Sequence, residues 1–151
     1  MVGLFDKINQ DLIEALKAHD AIRVSTLRFL ISGLKNARID KGSDLTDDEV
    51  LDEIARDVKR HKESIEAYEK AGRNDLVVKE KTELEILLPY LPTQLSEEEL
   101  SMIIDEVIFQ VGSSNISDMG KVMGAVMAKV RGKADGGVVS KIVKEKLIRS
   151  N

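Results

Sequence analysis

The sequence predicts an all-α chain of about seven helices, and three observations carry that prediction. Apolar residues recur at three- and four-residue steps along nearly the whole length. No segment alternates with period two for long. The periodic stretches open on capping residues and close on glycine or proline, the residues that start and stop helices.

The first helix is expected from about Leu4 to Ala18, with Leu4, Phe5, Ile8, Leu12, Ile13 and Leu16 on one face; His19-Asp20 breaks it. Asp20 suits the N-cap of a second helix carrying Val24, Leu27, Leu30, Ile31, Leu34 and Ile39, which ends at Gly42, a natural left-handed C-cap. Thr46-Asp47-Asp48-Glu49 has capping-box spacing and opens the longest helix, to about Ala71, with Leu51, Ile54, Val58, Ile65 and Tyr68 spaced for burial. A fourth helix follows Asn74 and stops at Leu88, before Pro89-Tyr90-Leu91-Pro92. Two prolines remove two amide donors and extend the residues before them, so the domain boundary is placed here.

Ser96-Glu97-Glu98-Glu99 is a second capping box, heading a helix with Leu100, Ile103, Ile104, Val107 and Val111 that ends at Gly112. A sixth helix starts at Ser117-Asp118 and ends by Gly132. In it Met119, Met123 and Met127 interleave with Val122, Val126 and Val130 as one wide apolar face, a core rather than a binding stripe. Gly120 and Gly124 cost helix stability unless something packs close, and are expected to mark a tight helix crossing. Asp135 caps a seventh helix with Val138, Val139, Ile142, Val143 and Leu147 inward. The expected organisation is two helical domains, 1–92 and 96–151, the second a small three-helix module.

Composition bounds the function. With 42% hydrophobic and 33% charged residues, the 151-residue chain is globular rather than disordered. Aromatic residues are 3%, so a base-stacking platform would have to come from Phe5, Phe29, Tyr68, Tyr90 or Phe109, far apart in sequence. The absence of cysteine excludes disulfides, a thiolate nucleophile and Cys-ligated zinc. The N-terminus has no basic segment followed by an apolar one, and no apolar run approaches a membrane span. The expectation is a cytoplasmic protein with no membrane partner.

The net charge of −4 conceals an asymmetry. Residues 116–151 carry eight Lys or Arg against Asp118, Asp135 and Glu145, which is +5, and leave −9 on residues 1–115. A basic segment on an acidic chain points to an anionic partner.

Met119-Gly120-Lys121-Val122-Met123-Gly124, Gly132-Lys133-Ala134-Asp135-Gly136-Gly137-Val138-Val139 and Val143-Lys144-Glu145-Lys146-Leu147 together resemble the YqeY family. Leu34-Lys35-Asn36-Ala37, Ser64-Ile65-Glu66-Ala67-Tyr68-Glu69-Lys70-Ala71-Gly72-Arg73 and Tyr90-Leu91-Pro92-Thr93-Gln94-Leu95-Ser96 extend the likeness to the N-terminal half. The C-terminal stretch is also similar to the tail of the B subunit of tRNA-dependent amidotransferases, departing from it at Asp135-Gly136, where that tail reads Asn-Pro. The resemblance implies two helical domains and a role near tRNA, because that tail helps hold the tRNA body. It does not imply transamidation, whose ATP site lies in a separate domain for which this chain has no room. A carbon–nitrogen ligase with glutamine as amide donor therefore ranks last among the readings.

Candidate contacts to nucleic acid are Lys121, Lys129, Arg131, Lys133, Lys141 and Lys144, with Arg28 and Lys35 seven apart on the second helix. The loop Gly132–Gly137 could turn amides toward a phosphate ahead of a helix start. It is not a P-loop, since the glycine and hydroxyl spacing is missing. Arg56, Lys59, Arg60 and Lys62 sit among Asp52, Glu53, Asp57 and Glu63, as surface pairs do. Glu53, Asp57 and His61 at four-residue steps could form a metal ridge, but a solvated charged face is the expected reading. His61 with Ser64 makes a poor base and nucleophile from one helix. Neither metal nor cofactor is expected. The reading is a non-catalytic adaptor for tRNA or other RNA; the alternative is a protein–protein adaptor for a translation-related enzyme.

Overall fold

The computed structural model describes residues 3–113 and 115–149. The helices are α1 (Leu4–Lys17), α2 (Ala21–Lys41), α3 (Asp47–Lys70), α4 (Asn74–Leu87), α5 (Glu97–Val111), α6 (Met119–Val130) and α7 (Gly136–Arg149). Short 3₁₀ turns at Leu88–Tyr90 and Ile116–Asp118 lead out of α4 and into α6. There is no strand among the described residues, and no helix is long and apolar enough to cross a membrane. The chain divides into two compact units, Met1–Leu91 and Pro92–Asn151.

In the first unit α1 packs on α2, α3 packs on α4, and α2 touches both α3 and α4. The core is Ile8, Leu27, Leu30, Ile31, Leu34, Val50, Ile54, Val58 and Leu87. Burial of such side chains supplies the driving force, about 1.5–3 kcal/mol for each large one. Tyr90 closes the unit from its far end: its hydroxyl donates to Asp11 Oδ2 at 2.5 Å. Burial first, and then that hydrogen bond, push the phenol well above its ordinary pKa.

The second unit is a three-helix module in which α5, α6 and α7 all touch one another. Its core is built from Leu100, Ile104, Val107, Val122, Val126, Val130, Val139, Val143 and Leu147, with Met119, Met123 and Met127 packed partly buried at its margin. The valine stripe of α6 is thus the core and the methionine stripe its border.

Three expectations change. Gly120 and Gly124 mark no tight crossing: a Cβ at either would meet nothing within 4 Å. Ile39 and Ile13 lie on the periodic faces of their helices but are exposed; on α1 it is Ala15, beyond Ile13, that is buried. The box at Thr46 is half made: Thr46 Oγ1 accepts from the Glu49 amide, while the Glu49 carboxylate takes Lys41 Nζ at 2.7 Å. Ser96 and Glu99 form the complete reciprocal box.

Candidate functional site

Every cation singled out in the sequence is exposed, and the units differ in what surrounds them. In the second unit Lys121, Lys133, Lys141 and Lys144 make no ion pair among the described residues. Lys141 and Lys144 are neighbours on α7, turned away from the buried stripe Val139, Val143 and Leu147. Lys129 is engaged, reaching Gln110 Oε1 at 3.5 Å and Glu106 Oε1 at 3.9 Å on α5. Arg131 also has a partner. Lys146, not among the singled-out cations, pairs with Asp105 at 2.7 Å.

The loop between α6 and α7 is clamped from behind by the segment entering α5. Gly132, buried and left-handed at φ 75°, turns its carbonyl to Gln94 Nε2 at 2.7 Å; the Lys133 carbonyl takes the Leu95 amide at 2.9 Å. Only glycine adopts that φ without strain. Asp135 then heads α7, its Oδ1 accepting from the Gly137 amide at 2.7 Å and its carbonyl from Val139. The chain's own carboxylate thus occupies an amide of the helix start. What the loop offers an anion is the exposed Lys133 side chain.

In the first unit Arg28 and Lys35 project from α2 into solvent and form no pair among the described residues. Nearby, Arg60 stacks over the exposed Phe29 ring at 4.5 Å and, with Leu30, Gly33, Glu53, Arg56 and Asp57, lines a cleft of about 190 Å³ between α2 and α3.

The strongest departure from the sequence reading is on α3. Asp57 and His61 do not lie on a solvated face: they are 8% and 2% exposed. The cause is α4, which packs along α3 and brings Glu80 and Glu83 against the imidazole. His61 Nδ1 lies 2.5 Å from Glu80 Oε2 and 3.6 Å from Glu83 Oε2. On the other side of the ring, Nε2 is 3.6 Å from Asp57 Oδ1 and 3.3 Å from Arg60 Nη2. Arg60 holds Asp57 Oδ1 at 2.7 Å, and Asp57 Oδ2 is buried without a hydrogen-bond partner. Glu53, the first residue of the imagined ridge, turns instead to Arg56 at 2.8 Å. Nothing in the linear pattern pairs residue 61 with residues 80 and 83; only the α3–α4 hairpin does.

The model of the family described as Yqey-like protein matches residues 5–147. The chain is 37% identical over 114 residues to "Altered inheritance of mitochondria protein 41, mitochondrial" of Lachancea thermotolerans, covering 73% of this chain and 60% of that protein. A protein of the same name from Pyrenophora tritici-repentis is 29% identical over 143 residues, 92% of this chain and 78% of its own length. The E subunit of the glutamyl-tRNA(Gln) amidotransferase of Thermococcus sibiricus is 30% identical over 150 residues, 94% of this chain and 23% of that protein. The likeness to an amidotransferase polypeptide therefore runs through both units, not the second alone. The chain spans about half to three-fifths of the length of the first relatives it matches.

These names correct the cytoplasmic expectation, since several of the relatives, from different fungi, are named as mitochondrial. A cysteine-free composition suits any reducing compartment. An apolar leader is the wrong signal to weigh for that destination, because mitochondrial targeting segments are amphipathic and rich in Arg and Ser.

Proposed function

The chain belongs to the YqeY family, and from that membership we propose that it is a non-catalytic, tRNA-associated helical protein whose second unit neutralises RNA phosphates. The observation that carries this reading is the set of exposed lysines Lys121, Lys133, Lys141 and Lys144, without an ion pair among the described residues, on a chain that is acidic overall. Cations left without carboxylate partners keep their full attraction for an external anion. Likeness to a protein named for glutamyl-tRNA(Gln) makes tRNA the anion of choice. Base readout would be slight, because aromatic side chains for stacking are few.

Two features support the absence of catalysis. The likeness to the amidotransferase covers 23% of that polypeptide, far short of the whole enzyme. Among the described residues no hydroxyl hydrogen-bonds a histidine: His61 is held by Glu80, and His19 sits on an exposed turn. Incubated with misacylated glutamyl-tRNA, ATP and glutamine, the protein should yield no glutaminyl-tRNA. Turnover that a single substitution abolishes would end this part of the proposal.

The binding test is salt dependence. Phosphate neutralisation releases counterions, so log affinity should fall linearly with log salt, by about 0.7–0.9 per contact. Changing Lys133, Lys141 and Lys144 together to Ala should flatten that slope by about 2–3 if all three touch phosphate. Helicity should be unchanged, because exposed charge substitutions cost about 0.5 kcal/mol or less. If the triple variant binds tRNA with an unaltered slope, the protein–protein adaptor becomes the better reading. The exposed Phe109 and Met102 of α5 would then be the first residues to test for partner contact.

A further inference from the structure

We propose that His61, Glu80 and Glu83 form a binding site for one divalent transition cation of the zinc or cobalt class, tying α3 to α4. Nδ1 of His61 and one oxygen from each carboxylate lie within 4.8 Å of one another. Tetrahedral ligands about 2.0–2.2 Å from zinc stand roughly 3.3–3.6 Å apart, so the donors already bracket the geometry required. The 2.5 Å approach of Glu80 is the one that must open, by roughly 1 Å on that same geometry, and a Glu side chain has the torsions to do it.

Three observations raise this group above an ordinary acidic cluster. First, the donors are covered: His61 is 2% exposed and the Glu80 and Glu83 side chains 14% and 15%. Two carboxylates desolvated side by side repel each other, and among the described residues Glu83 has no closer ionic partner than the imidazole at 3.6 Å. Second, charge does not close without a further cation. Asp57, Glu80 and Glu83 face one guanidinium, Arg60, and one imidazole, which leaves the group negative even with His61 protonated. A divalent ion with a neutral imidazole brings it to zero.

Third, the outer shell is in place. A metal-bound histidine directs its other ring N–H at a carboxylate, which fixes the ring and its tautomer. Asp57, one turn back on α3, stands 3.6 Å from Nε2, is 8% exposed, and has Oδ2 without a hydrogen-bond partner. Without metal, Nδ1 faces Glu80 at 2.5 Å and Nε2 lies 3.3 Å from Arg60 Nη2. A cation held on Nδ1 leaves the N–H of the neutral ring on Nε2, on the side of Asp57, while Arg60 keeps its 2.7 Å bond to Asp57 Oδ1. One imidazole and two carboxylates suit zinc, cobalt or manganese better than magnesium, which prefers oxygen and water alone. Water completes the shell.

Titration of the full-length protein with Co²⁺ should give one saturable equivalent with ligand-field absorption in the visible. Zn²⁺ should displace it and raise the unfolding temperature. Glu83→Gln leaves the His61–Glu80 pair intact and should weaken Co²⁺ binding at least tenfold. Asp57→Asn, which touches no metal, should weaken it by about 10- to 100-fold. His61→Gln should abolish the absorption; should that variant fail to fold, Glu83→Gln decides alone. The proposal is overturned if no 1:1 band develops, or if Glu83→Gln binds Co²⁺ as well as wild type.

Discussion

Lys41 decides which way Glu49 turns. The capping geometry calls for the Glu49 carboxylate to reach back to the Thr46 amide; here its Oε1 takes the Lys41 ammonium at 2.7 Å and the Thr46 hydroxyl at 3.2 Å. The hydrogen bond from Lys41, aided by Thr46, holds the Glu49 carboxyl below its ordinary pKa of 4.5. The sign follows: a depressed pKa contributes stability above the unfolded value, and that contribution is lost as pH falls through the folded value. Lys41→Ala should move the Glu49 titration midpoint, followed by NMR, up toward 4.5. An unmoved midpoint would mean that the Lys41 contact does not persist in solution. The same competition separates the candidate cations. Lys129 and Lys133 are four apart and equally basic in sequence, yet α5 offers carboxylate and amide oxygens to the first, while the second meets only the Leu95 backbone amide, ahead of α5, at its carbonyl.

Helix by helix, glycine does two opposite things here. Gly124 lies inside α6 with open space where a side chain would be, so it exacts the entropic cost of glycine for no packing gain. Gly124→Ala should therefore raise stability by about 0.4–1 kcal/mol, read as a higher denaturant midpoint at constant slope. Gly132 sits at φ 75°, and its carbonyl and that of Lys133 anchor residues 94 and 95. Gly132→Ala should destabilise by about 1–2 kcal/mol from backbone strain alone. If both changes shift the midpoint the same way, helix propensity rather than backbone conformation governs this module. The complete capping box at Ser96 belongs to the same scale: Ser96→Ala removes an acceptor from the Glu99 amide and should cost about 1 kcal/mol.

At the scale of the whole molecule, the two units carry separate cores that share no residue. We propose that they are separable domains, divided near Pro92. Limited proteolysis should then cut close to that residue and leave two stable fragments; cleavage confined to residues 46–71 would sink the boundary. The second unit is near the lower size limit at which burial outweighs chain entropy. Ile104 is fully buried in it, and Ile104→Ala should cost about 2–5 kcal/mol. That loss should melt α5, α6 and α7 while the helices of the first unit remain. A single cooperative transition in the variant would show that the units do not unfold independently.

The all-α class and the helix ends were legible in the chain, because periodicity, caps and glycine stops act within a few residues. Ser96, Asp135, Gly42 and Gly112 needed no tertiary partner to be placed. So was the separation of Val122, Val126 and Val130 from a polar surface, a matter of one helix's geometry. Tertiary structure alone decided the fate of charged and glycine residues, whose meaning depends on what arrives from elsewhere. Gly120 and Gly124 await a neighbour that does not come. Lys129 meets α5 and Lys133 does not. Asp57 and His61 fit a solvated charged face as well as any polar pair on a helix, until α4 folds back and covers them with Glu80 and Glu83. A local pattern determines where a helix begins, ends and turns its apolar side. Which of its polar residues leave water is settled by long-range packing, which linear spacing does not encode.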